Sequence, residues 1–330
     1  MKFKTLCDAM QQLEETTKRL EKTDIITGLL QQKDALKETI LLLQGRAFPE
    51  WSDKKLGISK KLAAKAIQSA FGITESQVET AFKKTGDLGL VAQDYCKSKT
   101  QQTLFAFENA DALTVKKVFD NLKDLPDIEG SNSTAIKLRK ITQLLTSSEP
   151  LESKFIVRIV IGDLRVGVST GTLRDAIIKA TFPEIIGLYD KDTDKEVKGS
   201  IYELNDIEAM KKEHLIEYDY MRPASYELGR EAYNFISDAI QSAYDKINEM
   251  GRIAAIAAES GLKGILSVEL EVMTPLRSML MQRVETVQKG LEMMTPPLAL
   301  EYKYDGFRAQ IHKKGKQVKI ITRNLEDVTR

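Results

Sequence analysis

Glu301-Tyr302-Lys303-Tyr304-Asp305-Gly306-Phe307-Arg308 carries more chemistry than any other stretch of this 330-residue chain. Side chains alternate along an extended strand, so Glu301 and Lys303 fall on one face, with Cα atoms about 6.6 Å apart. Asp305-Gly306 is a hairpin signal, because glycine tolerates the positive φ of a tight turn. Past that turn, Phe307, Ala309 and Ile311 share one face of the returning strand, and Arg308, Gln310 and His312 share the other. A further strand, Val318 to Arg323, groups Lys319, Ile321 and Arg323. The tail therefore predicts strand, turn, strand, turn, strand, with Arg308 returned toward Lys303.

Working back from this tail, Ser267 to Val272 (SVELEV) alternates and predicts one more strand, and an amphipathic helix is expected at about 284–294. Before about Leu262 the pattern changes to spacings of three and four, the period of helices. Phe3, Leu6, Met10 and Leu13 begin it, and helices are expected at 59–71, 74–83, 114–122, 134–147, 151–161 and 170–180. Thr114 and Thr134 are candidate N-caps. A strand-and-turn interruption is expected at about 184–205, then a long helix from Tyr226 to Ser260 with a break near Gly251. The predicted architecture is multidomain: an all-α unit over 1–262, then over 263–330 the opening of an α/β (α+β) unit.

Composition sets the outer limits. Lys and Arg (49) nearly balance Asp and Glu (48), so any phosphate-binding surface must come from local clustering. Cys7 and Cys96 provide neither a disulfide framework nor a CxxC spacing, and no metal-ligand set is predicted. The N-terminus lacks the apolar core of a signal peptide, and no apolar run approaches the ~20 residues that span a bilayer. A soluble intracellular protein is expected.

Local clustering does occur, around an internal echo. Leu56-Gly57-Ile58-Ser59 leads into KKLAAKAI, and Val166-Gly167-Val168-Ser169 leads into TGTLRDAI. In each, an Ala-Ile pair begins seven residues after a serine suited to cap a helix. Lys54, Lys55, Lys60, Lys61 and Lys65 surround the first turn; Arg158, Arg165 and Arg174 surround the second. Lys54, Lys55, Gly57, Ser59, Lys60, Arg165, Gly167 and Ser169 are the candidate nucleic-acid contacts, chiefly to backbone phosphates. The plainer reading of the lysines is a solvated helix face. Trp51 is read as packing, and His214 and His312 receive no catalytic or metal role.

The tail residues suit nucleotide activation. A lysine amine can attack the α-phosphate of ATP and expel pyrophosphate, leaving AMP on nitrogen, but an ordinary lysine is almost wholly protonated at pH 7. Burial, neighbouring cations or metal-bound phosphate must shift that balance. Mg²⁺ would neutralise the triphosphate, Arg308 and Arg323 could hold ribose and phosphates, and Glu301 could accept from the adenine amino group.

KYDGFR matches the KxDGxR motif of covalent nucleotidyltransferases. EYKYDGFRAQIHKKG followed by TRNLEDVT resembles ATP-dependent DNA ligases of the archaeal and eukaryotic replicative type. GDLGLVAQ at 86–93, IVRIVIGDLRVGVSTGTLRDAI at 156–177 and PLRSMLMQRV at 275–284 are similar to the helical DNA-binding domain of that family. The resemblance implies a DNA-binding domain over 1–262 and the start of a nucleotidyltransferase (adenylation) domain over 263–330. It implies Lys303 as the residue that carries AMP, Glu301 at adenine, and Arg308 and Arg323 around ribose and phosphate. ATP and Mg²⁺ are the implied cofactors, nicked double-stranded DNA the substrate, a sliding clamp a candidate partner, and a monomer the expected state. The family's metal-binding glutamate, two further lysines and OB-fold domain lie well past the first motif, so the chain is expected to stop before its catalytic domain is complete and to have little or no ligase activity alone. Two other classes compete: a non-catalytic DNA-binding module and an RNA-directed nucleotidyltransferase, the latter disfavoured by the long helical region.

Overall fold

The computed structural model describes residues 1–52, 54–102, 112–188, 197–277, 283–302 and 304–329. Ten helices come first: α1 (Phe3–Glu15), α2 (Arg19–Leu30), α3 (Leu36–Leu43), α4 (Lys60–Phe71), α5 (Glu75–Thr85), α6 (Leu88–Gln102), α7 (Val115–Lys123), α8 (Ser133–Thr146), α9 (Pro150–Ile161) and α10 (Thr170–Thr181). Then follow β1 (Glu184–Ile185), β2 (Ile201–Leu204), α11 (Ile207–Met210), β3 (Tyr220–Pro223), α12 (Tyr226–Ile247) and α13 (Met250–Leu266). The last elements are α14 (Val287–Met293), β4 (Ala309–Lys314) and β5 (Gln317–Thr322).

The expected helices fall where hydrophobic periodicity places them, and helix α9 is the hub. Its sequence PLESKFIVRIVI is apolar nearly all round, which marks a helix buried on every side. Phe155, Ile156, Val157, Ile159 and Val160 are buried, each contributing about 2 kcal/mol on transfer from water. Helix α6 lies along α9, α10 along α2, α4 along α8, and α13 along α3. Gly89 permits the first of these pairings: a Cβ there would meet the Lys154 carbonyl at 2.7 Å and Arg158 Cγ at 2.8 Å.

Two corrections concern this part. The region is not all-α, because β1, β3 and β2 form a parallel sheet with β3 in the centre. Part of the expected 184–205 interruption is thus a sheet, and its middle, 189–196, lies outside the described residues. Thr114 caps α7 as expected, but α8 begins after Asn132, so Thr134 is inside the helix rather than its cap. The long helix breaks near Gly251 as expected: Asn248, with φ of 52°, ends α12, and α13 begins at Met250.

The C-terminal part differs more. Ser267 to Val272 forms no strand, because α13 runs to Leu266 and the segment after it lies along α12 and α13. Lys246 donates to the Val268 carbonyl at 2.8 Å, and Arg252 pairs with Glu271 at 2.5 Å. Among the described residues the one sheet here is the antiparallel hairpin of β4 and β5, turned at Gly315 where the second turn was expected, while Asp305-Gly306 joins no paired strands. Residues 298–302 and 304–308 form no strand, having no ladder partner among the described residues, and Leu300, Tyr302, Tyr304 and Phe307 are exposed. Beyond Leu266 most of the described apolar residues are exposed; Val268, Pro275 and Ile321 are buried, and Met273, Leu298, Ile320 and Leu325 are half-buried. Among the described residues no helix is long and apolar enough to cross a membrane.

Candidate nucleic-acid interface and nucleotidyl segment

The internal echo is a repeated piece of structure. Gly57 and Gly167 both take left-handed backbone conformations, with φ of 66° and 59°. Two residues on, Ser59 Oγ accepts from the Leu62 amide and Ser169 Oγ from the Thr172 amide, each at 3.2 Å. Each serine therefore starts a helix, α4 or α10, satisfying an amide left unpaired at the helix end. Lys60, at the start of α4, adds to the cationic surroundings that lower the Asp163 carboxyl, two residues before Arg165.

The candidate cations at these turns divide into two kinds. Lys54 pairs with Asp127 at 2.6 Å. Arg165, itself at a left-handed φ of 65°, is bound to Asp163 at 2.7 Å and reaches Asp87 at 3.4 Å. The Arg165 hydrogen bond holds the Asp163 carboxyl below its ordinary range, and the Asp163 bond raises Arg165 in return. Lys55 and Lys60 are exposed, with no ion pair among the described residues. Arg158 does not belong to the exposed set: it is buried, and the expectation that it surrounds the second turn is corrected. Arg174 is half-buried beside Asp175 and Gln241.

Arg158 instead anchors a buried ionic network behind the second turn. Its guanidinium donates to Glu14 at 2.8 and 3.0 Å and to Asp87 at 2.6 and 3.0 Å. Lys154 donates to Glu14 and Gln11, both at 2.7 Å. Asp87 also accepts the Gly89 amide at 2.7 Å and reaches outward to Arg165. Burial opposes the charge on Glu14, but bonds from Arg158 and Lys154 outweigh it and hold the carboxyl below its ordinary value. Sequence reasoning missed Glu14, Asp87 and Lys154; the visible signal was a cation inside the apolar run FIVRIVI, which must find buried partners.

The nucleotidyl segment is less assembled. Lys303 lies outside the described residues. Glu301, Arg308 and Arg323 are all exposed. The hairpin pairs Gln310 with Ile321 and Ala309 with Thr322, and Arg308 and Arg323 flank that last pair. The two arginines thus stand at the same end of the hairpin, while Glu301 is not brought to them by a shared strand. Gln310 and His312 of β4 are docked to the preceding segment: Gln310 exchanges two hydrogen bonds with Leu276, at 2.6 and 2.8 Å, and His312 Nδ1 accepts the Met273 amide.

Residues 2–178 match the DNA ligase N terminus family, and residues 278–330 match the ATP dependent DNA ligase domain. The chain belongs to the ATP-dependent DNA ligase family. It is similar to the DNA ligase of Nanoarchaeum equitans, 35% identical over 331 residues, covering 100% of this chain and 48% of that protein. The DNA ligase of Cenarchaeum symbiosum is 31% identical, covering 100% of this chain and 47% of its own. That of Methanothermobacter thermautotrophicus is 32% identical, covering 99% and 49%. The chain spans about half the length of these curated relatives.

Proposed function

We propose that the complete protein seals nicks in double-stranded DNA using ATP, with Lys303 as the nucleotidyl carrier. The observation that supports this best is the ligase-domain match over residues 278–330, which contains Lys303 in its KYDGFR setting. In the first step the neutral Lys303 amine attacks the α-phosphorus of ATP. The bond to the pyrophosphate oxygen breaks, and the amine proton leaves to solvent. An oxygen of the 5′-phosphate at the nick next attacks the same phosphorus, breaking the phosphorus–nitrogen bond and freeing Lys303. The 3′-hydroxyl then attacks the activated 5′-phosphate and releases AMP. Arg308 and Arg323 are proposed to hold ribose and phosphate, and Glu301 to accept from adenine.

The N-terminal helical part, placed at 1–262, is proposed to grip the duplex, and 263–330 to open the adenylation domain. Lys54, Lys55, Gly57, Ser59, Lys60, Arg165, Gly167 and Ser169 form the proposed contact surface, with phosphates approached by turn amides and cations. Mg²⁺ is proposed as the ion that accompanies the triphosphate. No group of three or more His, Cys, Asp or Glu suited to an ion occurs among the described residues, so no step is assigned to it. An intracellular monomer recruited by a sliding clamp completes the proposal.

The exposure of Glu301, Arg308 and Arg323 favours a second reading, duplex binding without catalysis by this portion. A sealing assay on a labelled nicked DNA duplex with ATP separates the two. Joined product from the complete protein supports the ligase reading; binding without joining or adenylate transfer overturns it. Competition by a nicked RNA duplex as effective as nicked DNA would redirect the substrate to RNA.

A further inference from the structure

The two capped turns share a feature that their own sequences do not contain. Helix α4 lies along α8, and helix α10 lies along α2. Near the start of each partner helix stands a lysine, Lys137 in α8 and Lys22 in α2. Lys137 Nζ lies 3.6 Å from where a Cβ at Gly57 would be, and Lys22 Nζ lies 3.0 Å from the equivalent point at Gly167. Each left-handed glycine therefore carries an ammonium delivered by a different helix.

Neither charge is neutralised by the fold. Lys22 Nζ donates to the Val166 carbonyl at 2.8 Å and the Gly167 carbonyl at 3.0 Å, which fixes its position without a carboxylate. Among the described residues Lys22 has no ion pair, and Lys137 has neither an ion pair nor a hydrogen-bond partner. The adjacent Lys18, by contrast, pairs with Glu21 at 2.7 Å, Lys54 with Asp127, and Arg165 with Asp163 and Asp87. A cation already paired internally must exchange one partner for another to bind a phosphate. An unpaired one only displaces solvent and counterions, which is the source of salt-dependent affinity.

We propose that Lys22 and Lys137 are equivalent phosphate contacts of the duplex-binding surface, one at each turn, and that they carry more of its electrostatic attraction than Lys54 or Arg165. This rests on the reading of the surface as a grip on duplex DNA. The two glycines then serve a double purpose: they permit the left-handed turn and leave room for the ammonium above it.

The test is binding of the full chain to a nicked DNA duplex at several salt concentrations. Lys22→Gln and Lys137→Gln should each lower the slope of log K against log salt by about 0.9, the release expected for one phosphate contact. Lys22→Arg and Lys137→Arg, keeping the charge, should retain the parental slope, and Lys18→Gln and Lys54→Gln should change it less. Circular dichroism of each variant checks that the helices persist, and the Arg variants cover any local loss at Lys22. An unchanged slope in both Gln variants, with the parent still binding, overturns this assignment alone. Absence of duplex binding by the parent overturns both it and the underlying reading.

Discussion

Arg158 donates a 2.6 Å hydrogen bond to Asp87, and both side chains are almost wholly withdrawn from water. This pair joins helix α9 to the residue that precedes α6, and through Arg165 it extends to the loop that carries Gly167 and Ser169. Charges are costly to bury alone, so removing one partner leaves the other uncompensated. Arg158→Met should lower stability by about 3–5 kcal/mol, nearer the lower end because Lys154 still faces Glu14 and Arg165 still reaches Asp87. Urea unfolding followed by circular dichroism measures this.

Gly89 tests the same junction by volume rather than charge. A methyl group there meets the Lys154 carbonyl, which is main chain and cannot swing away, so α6 must move off α9. Gly89→Ala should cost about 1–3 kcal/mol, although alanine is intrinsically the better helix former. A midpoint equal to or above the parent's would show that the two helices are less tightly apposed.

The network also sets a pH dependence. The Glu14 carboxyl is lowered in the folded protein, so its ionised form favours folding. That contribution is complete above the unfolded value near 4.5 and is lost as pH falls through the folded value. Unfolding free energy should therefore decline over this acid range. The decline should be shallower in Glu14→Gln, which is less stable at neutral pH but has no carboxyl there to protonate. Parallel curves for the two proteins would remove Glu14 from the acid response.

The paired caps predict paired losses. Ser59→Ala and Ser169→Ala each remove the acceptor for one helix-end amide, at Leu62 and Thr172. Each should cost about 1 kcal/mol. Thermal or urea denaturation of both variants would show whether the two turns are energetically equivalent, as their geometry is.

The helical part was legible because its signals are local. Periodicity located the helices, and the apolar-Gly-apolar-Ser echo located both turns, down to the capping serines. Partners supplied by distant helices were not legible: Lys22 lies 145 residues from the Gly167 carbonyl it holds, and Glu14 lies 144 from Arg158. In the tail, alternation suggested a returning strand from Phe307 through His312 and another over Val318 to Arg323, which form as 309–314 and 317–322; it also suggested one through Glu301 and Lys303, of which Lys303 lies outside the described residues. Alternation reports only that a segment could lie in a sheet, whereas a strand needs a neighbour for its amides and carbonyls. Residues 309–314 find one across Gly315; the segment bearing Glu301 does not among the described residues.

Transfer of label from α-labelled ATP is the most direct measurement of the central claim. The complete protein is incubated with the nucleotide, and the modified residue is located by peptide mass spectrometry. AMP attached at Lys303, released when nicked duplex is added and absent from Lys303→Ala, is the predicted result. Equal labelling of the parent and Lys303→Ala, or AMP on another residue, would contradict it.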